Sequence, residues 1–433
     1  MTHLIFAATC DIAGKTRGKA FPESDLERRL IRGVGWTPTN VQINCFDGIA
    51  ETPFGALGDL LLVPDKSARV DMNFGSQRES FILGDIVTLE GNPWELCTRT
   101  ILRKALTRLH KVSGLKLRAA FEHEFQLKSK SGLEGEGFGR AGFERHRALC
   151  ETIVTHITGA GLKLDSIMKE YGPEQYEVVI APEEGVKAAD AAVIVREIVR
   201  SVARQMDEEA TFSPICDPSS VGNGVHIHMS FVDERGAPAT YDPKGNCGMS
   251  RVTDAFVAGV LKYLDSILAL TAASVISYFR LTPHRWSAAY NNLGFQDREA
   301  SVRICPVTSQ DPNSVASQFN IEYRAADASA CPHLALAAIV HAGVQGIEDK
   351  LKAPQATTED LSLLSEKDLK SRGFIRLPET LESAITQMNK NPMLRSWFSN
   401  SFIDIYTAHK KSEMDHVKDL DDAAICAIYE RTY

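Results

Sequence analysis

The stretch GVHIHMSF, residues 224–231, alternates apolar and polar side chains without a break and places histidine at two of the polar positions. Side chains along a strand point to opposite faces with a period of two, so Val225, Ile227 and Met229 share one face and His226, His228 and Ser230 the other. One face packs and the other serves something polar. The same pattern recurs in FEHEFQL, where Glu122, Glu124 and Gln126 oppose Phe121, His123 and Phe125. In QYEVVIAP, Glu177 shares a face with Gln175, and in NIEYRAAD, Glu322 stands two residues from Arg324.

A single strand of this kind is explained by one solvated sheet face. Several carboxylates from neighbouring strands are different, because like charges directly opposite one another destabilise a sheet unless cations lie between them. An oxygen-rich set with few imidazoles suits the hard ions Mg²⁺ or Mn²⁺ rather than zinc. The joint reading is a divalent-metal site inside a sheet. A second group is cationic: Arg280 in YFRLTPHRW, Arg298 and Arg303 in DREASVRI, and Arg324. The planar guanidinium fork grips carboxylate and phosphate in a bidentate manner, so this set points to an anionic substrate or nucleotide. No GxxxxGK[ST] loop and no GxGxxG turn occurs, so a nucleotide here is not held by either device.

Composition sets wide bounds. The chain has 433 residues, 44% hydrophobic and 24% charged, with a formal net charge of -8. The length allows two or three domains or one large elaborated one, the composition is that of a globular protein, and it lacks the basic stripe that nucleic acid requires. The nine cysteines are scattered, with no Cys-x-x-Cys pair, so a reducing, cytoplasmic setting is expected. The first residues, MTHLIFAATCDIAGKTRGK, hold too short an apolar run for a signal peptide, and no window reaches the length of a membrane span.

Along the chain, LIFAATCDI, VQINCFDGIA, DLLLVPD and FILGDIVTL read as short strands between Gly, Pro and Asp turns. A helix beginning near Pro93 marks a boundary between an N-terminal domain of residues 1–100 and a second domain of residues 101–433. Further helices are expected over Arg145–Ala160, Val186–Arg204, SRVTDAFVAGVLKYLDSILALTA and HLALAAIVHAGVQGIEDKL, with a Gly-rich loop at KSGLEGEGFGRAG. Strands and helices mix without regular βαβ alternation, an α+β pattern.

The ordered set FEHEF, E-x-GPEQYE, GNGVHIHMS, YFRLTP, DREASVRI and IEYRAADASACPHLALAAIVHAGVQGI resembles the glutamine synthetase family over nearly the whole chain. The resemblance implies a β-grasp N-terminal domain and a catalytic domain whose antiparallel sheet forms a funnel-shaped site, completed by the N-terminal domain of a neighbour in a ring, commonly a dodecamer of two hexamers. ATP and glutamate would enter from opposite ends, with Mg²⁺ or Mn²⁺ between them. The implied metal ligands are Glu124, Glu170 and Glu177 for one ion and Glu122, His226 and Glu322 for the other. Gly222 would receive the amino group of glutamate, and Arg280 and Arg324 its carboxylates. Arg298 and Arg303 would face the phosphates, with His228 along the nucleotide path and Ser230 near the adenine end.

The pattern departs from the family in four places. Where ammonia-using members resemble RLVPGYEAP, the chain reads RLTPHRWSA, placing Trp286 at the position of the glutamate that helps to hold ammonium. Val221 replaces the Asn of NGSGxHxH, and Glu174-Gln175 replaces the GQ of xGQxE. FDGSS becomes FDGIA, leaving Asp47, or Asp59 in GDLLLVPD, as the counterpart of the ammonia-site aspartate. An aromatic in a dismantled anionic pocket can wall an apolar acceptor or stack on a cationic amine. The expectation is therefore an ATP-dependent ligase joining glutamate to an organic amine or polyamine, in the manner of the glutamate-putrescine ligase branch. The alternatives are an ammonia user or a catalytically silent ring protein, the last having no need to hold buried carboxylates together. The C-terminal region also lacks an NLYDLP-like segment, so regulation by adenylylation is not expected.

Overall fold

The computed structural model describes residues 2–128 and 135–433. Its first sheet has five strands, β1 (Leu4–Cys10), β2 (Thr16–Pro22), β3 (Val34–Trp36), β4 (Leu60–Phe74) and β5 (Gln77–Val87), in the order β2-β1-β5-β4-β3. β1 and β5 run parallel and every other neighbouring pair is antiparallel. The alternation in β4 and β5 buries Leu60, Leu62, Ile82 and Ile86 with Ile5, Phe21 and Trp36 in a small core of their own, against which Leu26 and Leu30 of the helix Leu26–Arg32 pack. This is the expected β-grasp arrangement. VQINCFDGIA is not a strand: a 3-10 helix over Pro38–Gln42, N-capped by Thr37, leads into a loop closed by a single bridge between Ile43 and Ile49. Asn44 explains the difference, because its side chain accepts from the backbone N–H groups of Phe46 and Gly48 and holds a local turn in place of a ladder.

The second sheet has nine strands: β6 (Lys116–Leu127), β7 (Leu164–Lys169), β8 (Gln175–Ile180), β9 (Glu183–Glu184), β10 (Ala210–Thr211), β11 (Val225–Val232), β12 (Leu293–Phe295), β13 (Val302–Ile304) and β14 (Ile321–Tyr323). Its main path runs β12-β13-β14-β11-β6-β8-β7, with β9 and β10 also pairing to β6. It is antiparallel except at one edge, where β12 and β13 are parallel. The apolar face carries Phe121, Phe125, Ile227 and Met229 into the main core, and the helix Val186–Gln205 lies against β6 on that side. The helix Pro332–Glu348 is almost wholly apolar and correspondingly buried, packed between the helices Thr98–Ser113 and Arg251–Lys262.

The helix Thr98–Ser113 starts five residues after Pro93, and the long stretch from Ser250 divides at Tyr263 into Arg251–Lys262 and Leu264–Thr271. The expected Gly-rich loop lies partly outside the described residues. Its end is helical, over Arg140–Arg145. No helix among the described residues is long and apolar enough to cross a membrane.

Candidate active site

The register of the second sheet brings the polar faces of its central strands into line. Glu122 pairs with His226, Glu124 with Glu177, His228 with Glu322, and Glu322 with Arg303. Their side chains line a cavity of about 690 Å³, which also takes Glu170 from the turn after β7, Arg298, Arg324 and Trp286. All six predicted metal ligands therefore reach one hollow. An adjoining cavity of about 400 Å³ shares Glu122 and His228 with it and is bordered by Ser230, Ala120 and Phe319. On the opposite, apolar face of β6, His123 is buried and kept neutral, its pKa lowered to about 3 by desolvation and by the nearby charge of Arg196.

Charge is unevenly balanced across the hollow. At one end Glu322, almost fully buried, accepts from Arg303 at 2.8 Å and from Arg324, and His226 Nδ1 lies 3.7 Å from it. Burial works to raise its pKa, but Arg324 and the two histidines hold it down to about 2. Glu122 lies 3.3 Å from His226 Nδ1 and 3.0 Å from His228 Nε2. Against the effect of burial, those imidazoles hold it well below the carboxylate range, and Glu122 in turn raises His228. At the other end the acids face one another. Desolvation and then the charges of Glu122, Glu124 and Glu170 push Glu177 up to about 9, and burial and Glu124 raise Glu170. One carboxylate oxygen each from Glu122 and Glu177 and one nitrogen of His226 all lie within 4.8 Å of one another. An oxygen-rich set of acids that lack cations of their own fits a hard divalent ion, and the excess negative charge is what such an ion neutralises. The Nε atoms of Arg303 and Arg324 are buried without a hydrogen-bond partner among the described residues.

Gln175 organises the rim. Its amide N–H₂ donates to Glu124 at 3.2 Å, to the Gly222 carbonyl and to Asn223 Oδ1, both at 2.9 Å, while its carbonyl accepts from Gly172 N. Gly224 N donates to Glu124 at 2.7 Å. Arg280 lies beneath this glycine run. A Cβ on Gly224 would stand 2.4 Å from its Nη2, and one on Gly222 would stand 2.8 Å from its Cδ and Cγ, so neither position has room for a side chain. Arg280 is 3% exposed and donates to the Ala326 carbonyl at 3.1 Å. Gly222 and Arg280 thus support the rim and do not border the hollow, whereas Arg298, Arg303 and Arg324 do. Asp47 and Asp59 are on the exposed surface of the first domain, Asp47 paired with Arg17 at 3.1 Å, and neither reaches the cavity of its own chain. Glu174 points the other way, to Arg145 at 2.7 Å and His146 at 2.9 Å.

The flap carries Trp286 at φ 51° and His284 at φ 63°, two side-chain-bearing residues in the left-handed region. Glu299 accepts from the backbone N–H of both at 3.2 Å, and Arg324 donates to the Trp286 carbonyl at 3.2 Å. The Trp286 ring meets Tyr171 edge-on, with centroids 4.9 Å apart. Glu299, Tyr171 and Cys305 were not singled out from the sequence. Cys305 follows Arg303 by two residues and so shares its face, a signal that strand periodicity does supply.

Residues 1–94 match the glutamine synthetase N-terminal domain and residues 95–425 the glutamine synthetase catalytic domain. The chain belongs to the glutamine synthetase family. It is 30% identical to the gamma-glutamylpolyamine synthetase GlnA3 of Streptomyces coelicolor, over 100% of this chain and 94% of that protein. To the type-1 glutamine synthetase 1 of Dictyostelium discoideum it is 29% identical, over 97% and 88%. A glutamate–isopropylamine ligase of a Pseudomonas species is 27% identical over 93% and 90%. A crystal structure of a glutamine synthase homologue superposes with a TM-score of 0.92 at 37% identity, covering 100% of this chain and 99% of that one.

Proposed function

We propose that this glutamine synthetase family member is an ATP-dependent ligase that joins the γ-carboxylate of glutamate to an organic amine or polyamine through a γ-glutamyl phosphate, releasing ADP and phosphate. The observation that carries the choice of acceptor is Trp286. It stands on the cavity wall, edge-on to Tyr171, where ammonia users of the family place an acid. An aromatic wall offers an amine's carbon chain apolar area and its ammonium a ring face. The similarity to a gamma-glutamylpolyamine synthetase and to a glutamate–isopropylamine ligase supports the same reading.

In this reading Glu124, Glu170 and Glu177 would hold one Mg²⁺ or Mn²⁺, and Glu122, His226 and Glu322 would hold the other. Bound divalent ions supply Lewis-acid neutralisation of the phosphate charge. The chain's own contribution is alignment. Arg298 and Arg303 face the transferred phosphoryl, Arg324 takes a glutamate carboxylate, and His228 and Ser230 border the nucleotide path into the adjoining cavity. Gly222 and Arg280 set the rim at which the amino acid end of glutamate is received. The division into residues 1–100 and 101–433, a homo-oligomer of dodecamer type with Asp47 or Asp59 entering a neighbour's site, and a cytoplasmic setting belong to the same proposal.

The test is ADP release with glutamate and a panel of mono-, di- and polyamines beside ammonia. An organic amine turning over faster than ammonia at equal concentration is expected, and ammonia outperforming them all would overturn the assignment. One observation favours the second reading, an ammonia-using glutamine synthetase. Glu299 holds the flap from a neighbouring cavity that shares Trp286 and Arg298 with the hollow, and in that reading it takes the place of the missing acid as proton acceptor.

A further inference from the structure

The face that carries the acids also carries one soft ligand. Cys305 lies one residue beyond β13, where its N–H donates to the Asn320 carbonyl at 3.3 Å, and its thiol turns to the cavity. Cys305 Sγ is 3.6 Å from His228 Nδ1 and 3.6 Å from Glu322 Oε2, and one ligand atom from each of the three lies within 4.8 Å of the other two. Ligands held at about 2.0–2.3 Å around a tetrahedral ion stand about 3.5 Å from one another, so the two sulfur distances are those of tetrahedron edges. The donors come from β11, β14 and the residue just after β13, neighbours in the sheet, and are one sulfur, one nitrogen and one oxygen.

We propose that His228, Cys305 and Glu322 form a site for a thiophilic divalent cation, zinc above all, that overlaps the carboxylate-bound ions at Glu322 and is antagonistic to them. A thiolate selects against Mg²⁺ and Mn²⁺, which the acid-rich end of the cavity favours. His228 is arranged for the task. Its Nε2 lies 3.0 Å from Glu122 Oε1, so a carboxylate faces the ring nitrogen opposite the one that binds metal. Nδ1 lies 2.8 Å from Asn320 Oδ1, a contact that metal ligation replaces, so Asn320 turns away on binding. Glu322 Oε2 accepts from Arg303 at 2.8 Å and has a second lone pair for the ion, and water completes four ligands. Binding releases two protons to solvent, that of the Cys305 thiol and that carried by His228 Nδ1. An ion here draws Glu322 and His228 away from the phosphate end of the cavity, so zinc inhibits.

The test uses the full chain with Co²⁺ as a spectroscopic stand-in for zinc, in excess Mg²⁺ and without ATP. The native protein is expected to develop the near-ultraviolet thiolate-to-cobalt charge-transfer band with one equivalent and to lose it when Zn²⁺ is added. Cys305→Ser, its fold checked by circular dichroism, is expected to show no band, and His228→Gln to require at least about tenfold more Co²⁺. In parallel, Zn²⁺ should shield Cys305 from iodoacetamide in the native protein, read by peptide mass mapping of the nine free cysteines. No charge-transfer band in the native protein, a band that survives Cys305→Ser, or equal alkylation with and without Zn²⁺ would each overturn the proposal. None of these readouts requires turnover, so they stand apart from the choice of amine.

Discussion

Two buried charge clusters in this chain are built on opposite terms. At the junction of the two sheets, Arg99 is 2% exposed and forms ion pairs with Asp190 at 2.9 Å, Asp65 at 2.8 Å and Asp85 at 3.2 Å, while His333 closes on Asp190 at 2.9 Å. Two strands of the first domain and three helices of the second meet there, and each acid has a cation supplied by the chain. In the catalytic cavity Glu177 faces Glu122, Glu124 and Glu170, and Arg303 and Arg324 pair with Glu322 at the far end. A cluster that the chain neutralises itself holds the fold together. A cluster left in deficit marks where the chain awaits a ligand.

The largest effect that separates the two is expected from Glu177→Gln. Even outer-shell partners of a metal typically cost 10–100-fold in affinity, so loss of this ligand is expected to lower metal-dependent ADP release by more than about 100-fold. The metal-free variant is nevertheless expected to be more stable than the parent. Glu177 is raised from 4.5 to about 9, and a raised acid weakens the fold increasingly as pH climbs from the lower value to the higher. Thermal unfolding in chelator across that window measures it. A variant less stable than the parent throughout would place Glu177 with the structural cluster.

Arg99→Ala tests the other side. Removing one partner from a buried ion network leaves uncompensated charge and typically costs about 3–5 kcal/mol. Urea unfolding followed by near-ultraviolet circular dichroism is expected to show that loss. Unchanged stability would mean that water reaches the junction and the contrast between the clusters is false.

How much of this was legible in the sequence follows from what each part depends on. The period of two in GVHIHMSF and FEHEFQL requires only local geometry, and it assigned Glu122, Glu124, His226 and His228 to one face that the structure keeps. Glu170, outside any strand, came only through the family resemblance. The register that sets Glu122 against His226 and Glu124 against Glu177 is a long-range property, and alternation alone does not contain it. VQINCFDGIA failed as a strand because Asn44 offers its backbone a competing turn. The sequence motif offers Arg280 as a substrate ligand, and its place beneath Gly222 and Gly224 is one that only three-dimensional packing reveals. The Arg99 network was not anticipated at all, since its members are scattered from residue 65 to residue 333 with no pattern between them.

The structural cluster also has a pH signature. Burial acts to raise Asp190, but His333 and Arg99 lower it from 3.8 to about 2, so its contribution of about 2 kcal/mol is present above 3.8 and lost as pH falls through the lower value. His333 is raised above 6.5 because Asp190 outweighs the effect of burial, so its contribution is complete below 6.5 and lost as pH rises through its folded value. The stability difference between the parent and His333→Gln is therefore expected to be larger below 6.5 than well above it. A difference independent of pH would show that His333 is neutral throughout and that Arg99 alone balances Asp190.

The smallest stability effect and the most informative change in activity are expected at Trp286, which belongs to neither cluster. Its ring is half exposed, and the flap is held through the main chain, by Glu299 on two N–H groups and by Arg324 on the carbonyl. Trp286→Ala removes the aromatic wall and leaves those three bonds in place, so stability is expected to move by less than about 0.5 kcal/mol. Apolar pocket contacts of this size discriminate substrates by about 10–200-fold, so the preference for an organic amine over ammonia is expected to fall by at least about tenfold in kcat/KM. Equal losses for both acceptors would show that the ring shapes the flap for phosphoryl transfer, and the acceptor would then have to be selected on another wall.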